Sequence, residues 1–571
     1  MHFIGVINLM IIRVNMARLN VLTEPVKEEY SLLGGRAFIA RFLLDEVNPT
    51  CEPLGRHNKL IYAPGLLGGS RVFSSGRISI GGKSPLTGGV KESNGGGVVG
   101  VKLGRLGYKA IIIEELPKDN KKYFLFINKD GIKLLPAKDY WGLGVYETVK
   151  RLREEFGTSV AISCIGPAGE NRLLSAGIAN TDTDGVPSRY SGRGGLGAVM
   201  GSKGIKALII DDSGAKSIEP IEPDRFKEAL KEYSRLSSES PVTQTYTKYG
   251  TAATLQVANA LGGLPTRNFS SGAYEKAENI SGERLYDVIV ERKGKPSHAC
   301  MPGCIIRCSN VYVDKKGKEI VSPLEYETIA LMGANLDIDD FDIIAKLNYL
   351  CNDYGIDTIE TGAAIGVAMA GGLISFGDAE GAINLVHEIG KGSLGGRVLG
   401  NGALIAGKVL GVTNIPVVKG QSMPGYEPRG IKGTAVTYAT SPMGADHTAG
   451  ITIRVKVDHH SPEGQAELSR KAQYTVPIWD DLGLCLFASA ALGPHPELLC
   501  QIVNTQLGID LDKEKLYKLA HDTVKWEREF NHKAGFTKAD DRLPEYFCEV
   551  PNPANNCVFD VSENDLDRVH D

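Results

Sequence analysis

The sequence predicts an α+β protein, in which a β-rich N-terminal domain precedes two mainly helical domains. Short β-branched runs separated by glycine fill residues 1–213, a pattern typical of strands. Polar residues and prolines around 213–224 then give way to helical periodicity. The length of 571 residues fits two to four domains at roughly 150 residues each. We therefore predict domains at residues 1–213, 214–415 and 416–571.

In the first domain, six apolar runs rich in β-branched residues predict strands. These runs cover residues 59–64, 76–82, 109–115, 123–136, 159–166 and 206–212. The segment 145–157 predicts a helix that ends on Gly157, a residue suited to the position after a helix C-terminus. Further helices are predicted at 226–238, 341–355 and 381–392, and no internal repeat is evident.

The composition excludes several classes of protein. Hydrophobic residues make up 42% and charged residues 23%, which excludes global disorder. The net charge of −4 gives no reason to expect nucleic acid or an anionic membrane as a partner. Ten cysteines are too few for a disulfide scaffold of this length. Glycine is the outlier, since 68 residues are about 12% of the chain against a usual value near 7%.

The N-terminus is apolar but does not predict a signal peptide. Its start lacks lysine and arginine, and no small-residue cleavage site follows, so we interpret residues 1–20 as alternating strand. No stretch reaches the roughly 18 apolar residues that a membrane-spanning helix needs. We therefore expect a soluble, cytoplasmic protein.

Three of the ten cysteines, Cys300, Cys304 and Cys308, lie within nine residues. On an unbroken helix the outer two would be about 12 Å apart along the axis, too far for both thiolates to bind one small cluster. Pro302 and Gly303 interrupt such a helix. We therefore expect Cys300 to fold back while Cys304 and Cys308 lie one turn apart. This arrangement indicates a metal centre at a loop-to-helix junction, with a fourth ligand from elsewhere.

The cysteine spacing favours an iron–sulfur cluster with a distant fourth cysteine. Zinc commonly uses two pairs of closely spaced cysteines, whereas this chain has one triplet. Three reduced thiols without a metal are the simpler alternative. Spacing alone leaves the fourth ligand open among the other seven cysteines: Cys51, Cys164, Cys351, Cys485, Cys500, Cys548 and Cys557.

Three glycine-rich segments predict an anion-binding site in the first domain. They cover residues 63–89, 91–110 and 188–204, and each combines glycine with arginine, lysine, serine or asparagine. Glycine lets main-chain N–H groups form a concave anion site, and Arg77, Arg189 and Arg193 offer planar donors to phosphate. The GRGGLG segment lacks the spacing of a dinucleotide fingerprint. Three such loops in one domain favour a ligand with more than one phosphate.

Several linked motifs make the chain resemble the aldehyde ferredoxin oxidoreductase family of tungsten–pterin enzymes. They are SPLTGGVKESNGGG, GRGGLGAVMGSKGIKALII, the cysteine triplet, EYET, and the segments N-x-x-G-x-D and D-x-x-G-L-C. The resemblance covers nearly the whole chain, beginning at LLGGRAFIARFLLDEV in residues 32–47. It implies a β-rich base domain below two helical domains, with the cofactor buried at their interface.

The resemblance also implies three cofactors and the residues that bind them. The cofactors are a bis-pterin with tungsten (molybdenum being the alternative metal), one [4Fe–4S] cluster, and a magnesium ion joining the pterin phosphates. The implied magnesium contacts are the main-chain carbonyls of Asn94 and Tyr190. The implied pterin-binding residues are Arg77, Asn94, Gly95, Gly96, Arg189, Tyr190, Asn352, Gly355, Asp357, Thr358, Asp480, Gly483 and Leu484. The implied cluster ligands are Cys300, Cys304, Cys308 and Cys485.

Two further residues match positions that lie beside the metal in the family. Glu327 stands in EYET and His447 in GADHTAG. The resemblance therefore implies that they are the acid/base residues of the reaction. No protein ligand to tungsten is expected, because the pterins hold the metal.

Three departures from the family pattern are visible. The cysteine spacing is three and three residues, whereas the founding aldehyde enzymes have two and three. Asn352 replaces the first aspartate of a pterin motif, so that contact becomes neutral. Lys346 and Tyr349 stand where some members have the E-x-x-H pair that bridges an iron ion between subunits. We therefore expect no bridging iron, and a homodimer through other contacts stays open.

The resemblance implies oxidation of aldehydes to carboxylic acids, with electrons passing through the cluster to ferredoxin or a ferredoxin-like subunit. One alternative is a family member that reduces another substrate, such as an aromatic thioester, within a larger complex. An alternative from another class is an iron–sulfur electron-transfer subunit without a working metal–pterin site. Metal and pterin analysis distinguishes these alternatives.

Overall fold

The computed structural model describes residues 9–571. Its N-terminal part contains two six-stranded sheets. From one edge strand to the other, the strand orders are β2-β1-β6-β3-β4-β5 and β8-β7-β12-β9-β10-β11. The strands of the first sheet are β1 Met10–Asn15, β2 Asn20–Pro25, β3 Leu60–Pro64, β4 Ile78–Lys83, β5 Val90–Gly95 and β6 Tyr108–Glu114. Those of the second are β7 Tyr123–Asn128, β8 Gly131–Pro136, β9 Ala161–Cys164, β10 Ile178–Asn180, β11 Arg189–Ser191 and β12 Ile205–Ile210.

The two sheets have the same topology, since adding six to each strand number of the first order produces the second. In each sheet one pair is parallel, β1 with β6 and β7 with β12, and the other pairs are antiparallel. The N-terminal domain is therefore an internal structural repeat of residues 10–114 and 123–210. The prediction of no internal repeat was wrong, because the two halves share topology and loop positions with little visible sequence identity.

The sheets face each other across a common apolar core. Ile12, Tyr62 and Ile111 from the first sheet and Leu125 and Leu208 from the second are all buried in it. The outer face of each sheet is covered by a helix. Five helices belong to this region: α1 Gly35–Glu46, α2 Val99–Arg105, α3 Val145–Phe156, α4 Pro167–Glu170 and α5 Leu196–Ser202.

Beyond residue 212 the chain is mainly helical. Its first helices are α6 Pro223–Glu239, α7 Pro241–Tyr249, α8 Leu255–Ala260, α9 Gly282–Glu291, α10 Tyr326–Met332, α11 Phe341–Tyr354, α12 Thr358–Ala370, α13 Ala379–Lys391, α14 Leu394–Gly400 and α15 Ala403–Leu410. The later helices are α16 Lys432–Thr440, α17 Gln465–Leu482, α18 Ser489–Leu492, α19 Pro496–Leu507, α20 Lys513–Lys533, α21 Glu545–Glu549 and α22 Glu563–Arg568. Short strands form two small sheets: β13 Lys295–His298, β14 Ser309–Val313 and β15 Glu319–Val321, and β16 Val417–Val418 with β17 Gln421–Ser422.

The fold class predicted from the sequence is confirmed. Helix α3 ends at Phe156 as expected, and Gly157 follows it with φ +100°, a conformation that favours glycine. The domain boundaries at 213 and 415 stay predictions; one apolar core includes Leu331, Ala435 and Phe547, on both sides of residue 415. Of the expected N-terminal strand, residues 1–8 lie outside the described part, and β1 begins at Met10.

Among the described residues, no single helix is both long and apolar enough to cross a membrane. Two helical segments, 465–482 and 486–492, satisfy length and composition only when they are taken together, and they are bent by 111°. The end of the first segment, residues 476–482, is buried inside the protein.

Two loops of the N-terminal domain hold the helical region in place. The first base loop, residues 65–77, connects β3 to β4, and the second base loop, residues 165–177, connects β9 to β10. They occupy equivalent positions in the two halves of the repeat. Each loop pairs with a segment that follows the C-terminus of a long helix, α17 or α11.

The same two hydrogen bonds recur at both loops. At the first, Arg77 N donates to Gly483 O at 3.2 Å, and Cys485 N donates to Ser74 O at 2.8 Å. At the second, Gly177 N donates to Gly355 O at 3.0 Å, and Asp357 N donates to Ser175 O at 2.9 Å. The two later motifs therefore attach to the repeated domain in equivalent ways.

Glycine is required where these backbones meet. Gly355 and Gly483 both have φ +73° and follow the last residue of α11 and α17. A Cβ on Gly483 would lie 3.0 Å from Gly65 Cα, and one on Gly355 would lie 2.7 Å from Gly166 N. Part of the glycine excess is thus explained by backbone-to-backbone contact.

Replacing Gly65 with alanine should lower the thermal unfolding temperature, because the new methyl group would collide with the backbone of Gly483. Such overpacking costs about 1–3 kcal/mol or more. Gly395→Ala is the matched control: Gly395 is exposed in α14, and a Cβ there meets no atom within 4 Å. Alanine is favoured in a helix by up to about 1 kcal/mol, so the control should not be destabilised. Equal unfolding temperatures for the two variants, measured by circular dichroism, would contradict this account.

Candidate cofactor and cluster site

The glycine-rich segments meet where the edges of the two sheets come together. A Cβ on Gly95, at the end of β5, would lie 2.8 Å from Ser191 Oγ in β11. A Cβ on Gly96 would lie 3.5 Å from Cys300 Sγ and 3.7 Å from Arg189 Cδ. The predicted phosphate residues and the cysteine loop are therefore neighbours across this edge.

Arg77 and Asn94 form one unit at this edge. The Arg77 guanidinium donates to the Asn94 carbonyl oxygen at 3.1 Å and also to the Asn94 side-chain oxygen. The Asn94 amide nitrogen in turn donates to Ser79 Oγ at 3.2 Å. Arg77 also lies close enough to Cys485 and Cys300 for the two thiols to raise its pKa, in opposition to burial. Arg77 therefore lies between the glycine-rich edge and the cysteines.

The other arginine and tyrosine predicted for this edge lie on β11. Arg189 donates to Ser309 Oγ at 2.5 Å, and its guanidinium is 3.7 Å from a carboxylate oxygen of Glu325. The Tyr190 hydroxyl donates to the main-chain oxygen of Asn352. The side chain of Tyr190 therefore contacts the first pterin motif, which leaves its main-chain carbonyl as the group implied for magnesium.

The first pterin motif, residues 352–358, makes side-chain hydrogen bonds in addition to its main-chain bonds to the second base loop. The Asn352 amide nitrogen donates to Tyr146 Oη at 3.3 Å. The Asp357 carboxylate accepts from Ile359 N at 3.0 Å and Glu360 N at 3.2 Å, and so caps helix α12. The Thr358 hydroxyl is 3.0 Å from that of Thr328.

The second pterin motif, residues 480–485, contains two buried carboxylates with different contacts. Asp481 accepts from Ala37 N at 2.7 Å and from Thr523 Oγ1 at 3.2 Å. Asp480 lies 3.4 Å from the guanidinium of Arg36, and burial raises the pKa of Asp480 to about 6. Arg36 also binds the Glu527 carboxylate through two contacts of 2.7 and 2.9 Å. Asp481 is thus structural, whereas Asp480 retains capacity to bind a ligand.

Three of the four predicted cluster ligands, Cys300, Cys304 and Cys485, are buried in one apolar core, and Cys308 packs against it. A hydrogen bond from the Cys300 thiol lowers the pKa of Cys304 to about 6 and raises that of Cys300. Burial raises the pKa of Cys308 and of Cys485. Cys485 and Cys304 add to the rise at Cys308, and Cys304 adds to the rise at Cys485. Each of the four thiols therefore lies close enough to at least one other to influence its pKa.

Arginine side chains partly oppose the rise in pKa of three of these thiols. Arg189 acts in this way on Cys300 and Cys308, and Arg77 acts on Cys485, although the pKa of each thiol stays above its usual value. Within residues 9–571 no three His, Cys, Asp or Glu side chains are close enough together for a single metal ion. A multi-iron cluster holds its cysteines further apart, because iron and sulfide atoms lie between them.

The cysteine segment differs from expectation in its local structure. The prediction that Cys304 and Cys308 lie one turn apart on a helix is wrong. Residues 299–308 form an irregular connection between the antiparallel strands β13 and β14, with Gly303 at φ +70°. Ser74 N donates to Gly303 O at 3.1 Å, so the first base loop fixes this connection as well as Cys485.

Glu327 and His447, the two implied acid/base residues, lie close together. Glu327 Oε1 is 3.5 Å from His447 Nε2, and Glu327 Oε2 accepts from Gly425 N at 2.7 Å. Burial raises the pKa of Glu327 above its usual range, and His447 opposes that shift. Glu327 is therefore placed to exchange a proton nearer to neutral pH than an exposed glutamate.

Several buried polar atoms around this pair have no hydrogen-bond partner in the described residues. They are Glu327 Oε1, His447 Nδ1 and the Tyr438 hydroxyl. Tyr326 and Tyr426 lie beside them, with ring centroids 5.0 Å apart, and the Tyr426 ring is 5.9 Å from that of His447. Unpaired buried polar groups are costly, which fits a site that a ligand completes.

A buried charge network lies next to His447, and the sequence did not reveal it. Lys91 pairs with Asp446, the residue before His447. Burial opposes ionisation of Asp446, but Lys91 and Arg193 outweigh it and hold its pKa well below the usual range. Arg193, predicted as a phosphate donor, instead donates to Ala445 O and Ser422 O, each at 2.7 Å. The hydrogen bond from its guanidinium to Ala445 O therefore fixes the loop that carries His447.

Sequence reasoning also missed Arg36 and Glu92. Glu527 lies 491 residues from its partner Arg36, so no spacing rule could connect them. Glu92 is buried near Asp480, and burial raises its pKa to about 8. The sequence signal that could have identified Glu92 is its position, two residues before Asn94 in KESNGGG.

Lys346 and Tyr349, which replace the iron-bridging pair of some family members, contact groups of this chain. The Tyr349 ring stacks on Tyr146 with centroids 4.9 Å apart and an interplanar angle of 6°. Lys346 Nζ lies 5.5 Å from the Tyr349 ring centroid. Since Tyr146 also binds Asn352, these replacements are connected to the first pterin motif.

The residues in place fit the implied cofactors. A glycine edge approached by arginines suits phosphate, four neighbouring thiols flanked by arginines suit an iron–sulfur cluster, and unpaired polar atoms remain beside Glu327. The first base loop contacts both cysteine segments, and the second contacts the first pterin motif.

Comparisons with known proteins agree with this arrangement. The family model for the aldehyde ferredoxin oxidoreductase N-terminal domain matches residues 11–212, and that for domains 2 and 3 matches residues 228–569. The tungsten-containing aldehyde ferredoxin oxidoreductase of Pyrococcus horikoshii is 34% identical over 95% of this chain and 92% of its own length. The WOR-like subunit of an aliphatic sulfonate oxidoreductase from Pyrococcus furiosus is 29% identical over 86% and 80%.

A solved structure shares the fold at low sequence identity. The active-site complex BamBC of benzoyl coenzyme A reductase superposes with a TM-score of 0.79 and 20% identity, over 95% of this chain and 91% of that one. These relatives differ in substrate, so membership alone leaves the substrate open. With both family models matched across most of its length, the chain belongs to the aldehyde ferredoxin oxidoreductase family.

Proposed function

We propose that this protein is a tungsten–pterin oxidoreductase that oxidises aldehydes to carboxylic acids and passes the electrons to ferredoxin or a ferredoxin-like subunit. The observation that carries the proposal is the position of residues 480–485. This one segment joins a predicted pterin contact, Asp480, to a predicted cluster ligand, Cys485, and the first base loop fixes both ends. The identity to tungsten-containing aldehyde ferredoxin oxidoreductases supports the same reaction.

The pterin phosphates would be bound at the glycine-rich edge by Arg77, Gly95, Gly96 and Arg189, with magnesium held by main-chain oxygens of Asn94 and Tyr190. The pterin rings would lie against the two equivalent motifs, held by Asn352, Gly355, Asp357, Thr358, Asp480, Gly483 and Leu484. The [4Fe–4S] cluster would be bound by Cys300, Cys304, Cys308 and Cys485. When bound, the metal–pterin cofactor supplies two-electron redox chemistry.

Glu327 and His447 would handle the protons. Oxidation of RCHO with one water releases RCOO⁻, three protons and two electrons, so the site needs a proton acceptor. The unpaired Glu327 Oε1 is available to accept a proton from water, and His447 Nε2 at 3.5 Å is available to receive it next. Tyr326 and Tyr438 beside the pair are buried, and the His447 and Glu327 side chains are only 20% and 16% exposed, so little bulk water reaches them.

The electrons have a short covalent route out of the site. Cys485, proposed to hold the cluster, is the second residue after Gly483 and the fifth after Asp480. Both Gly483 and Asp480 are proposed to contact a pterin. On the outer side of the cysteines, Pro302, Gly303 and Arg307 are exposed. An electron acceptor that docks there would approach the cluster closely.

Replacing Glu327 with glutamine should lower kcat at least about 100-fold, the range expected on loss of a general acid or base. Because burial raises the Glu327 pKa, the acidic limb of the wild-type kcat profile should lie above about pH 4.3, the value for an ordinary glutamate. The residual activity of the variant should lack that limb. Metal and pterin contents should not change, and Glu380→Gln, at an exposed position in α13, is the control. Wild-type activity in the Glu327 variant would remove it from the proposed role.

Anaerobically purified protein should contain one tungsten, two pterins and four iron atoms per chain, and should reduce viologen with aldehydes. Elemental analysis, pterin assay and a viologen assay test this directly. Molybdenum in place of tungsten would correct the metal. Iron without tungsten, molybdenum or pterin would favour an electron-transfer subunit, and turnover of an aromatic thioester but of no aldehyde would change the substrate class.

A further inference from the structure

Two buried hydroxyl groups beside the cysteines have no partner in the described residues. They are the hydroxyls of Tyr233, in helix α6, and Ser74, in the first base loop. Both side chains are 0% exposed. A buried hydroxyl without a hydrogen bond is costly, and neither group takes part in the proposed proton chemistry or cofactor binding.

Ser74 is fixed between the two segments that carry the cysteines. Its main-chain N–H donates to Gly303 O at 3.1 Å, within the Cys300–Cys308 connection, and its carbonyl accepts from Cys485 N at 2.8 Å. Its φ is +59°, a conformation that serine seldom adopts. The two contacts hold the Ser74 side chain at the junction of both cysteine segments.

Tyr233 reaches the same junction from helix α6. It belongs to the apolar core that contains Cys300, Cys304 and Cys485, and its ring centroid is 6.2 Å from that of Phe73. Burial raises the pKa of Tyr233 well above its usual value, with Cys485 and Cys304 adding to the shift and Ser74 opposing it. The phenol thus keeps its proton and acts as a donor. The two hydroxyls are neighbours, yet neither completes a hydrogen bond to the other.

We propose that the Tyr233 and Ser74 hydroxyls donate hydrogen bonds to sulfur atoms of the iron–sulfur cluster and thereby raise its reduction potential. This inference rests on the proposed function, since it requires a cluster at the four cysteines. Hydrogen bonds to cluster sulfur stabilise the reduced, more negative state. The pair would therefore act as positioning and tuning residues, without taking part in substrate chemistry.

The test is an EPR-monitored redox titration of the full-length protein, purified anaerobically. Tyr233→Phe and Ser74→Ala should each shift the cluster midpoint potential to more negative values. The matched controls are Tyr246→Phe, in the same apolar core, and Ser75→Ala, whose hydroxyl already donates to Val72 O at 2.8 Å. Both controls should titrate like the wild type.

The outcomes separate this inference from the proposed function. Four iron atoms per chain with unchanged potentials in both Tyr233→Phe and Ser74→Ala would overturn the inference alone. A wild-type protein without a reducible cluster would overturn both. Since the two variants lie on different segments, Ser74→Ala decides the question if Tyr233→Phe does not fold.

Discussion

The architecture depends on two equivalent backbone contacts, one between Gly483 and the first base loop and one between Gly355 and the second. Each consists of a pair of main-chain hydrogen bonds between a helix C-terminus and a loop of the repeated N-terminal domain. Because both contacts are backbone to backbone, they demand glycine at the closest approach and little else from the side chains. These two contacts, at Gly355 and Gly483, together form a frame that can hold the two halves of a large cofactor symmetrically.

The symmetry of the frame is broken by the residues that come after each glycine. After Gly483 the chain continues to Cys485, which lies among the other cysteines. After Gly355 it continues to Asp357, whose carboxylate caps α12 and lies 3.4 Å from Arg193. Equivalent backbone positions thus carry a thiol on one side and a carboxylate on the other. An electron route on one side alone is consistent with this difference.

Some of this could be predicted from the sequence because it is local. Glycine marked the end of α3, and β-branched runs marked the strands, since these signals act within a few residues. The connection at residues 299–308 was mispredicted as partly helical, because pairing of β13 with β14 outweighs local helical preference there. The Arg36–Glu527 pair and the topological repeat depend on contacts across hundreds of residues, which no spacing pattern records.

We propose that the two backbone contacts place a metal–pterin site and an iron–sulfur cluster side by side. A crystal structure of the cofactor-loaded protein, measured at the tungsten and iron absorption edges, tests it most directly. We expect a tungsten peak between the Gly355 and Gly483 loops, next to Glu327 and His447, and an iron peak enclosed by Cys300, Cys304, Cys308 and Cys485. Iron bound to any other set of cysteines, or no heavy-metal peak between the two loops, would contradict it.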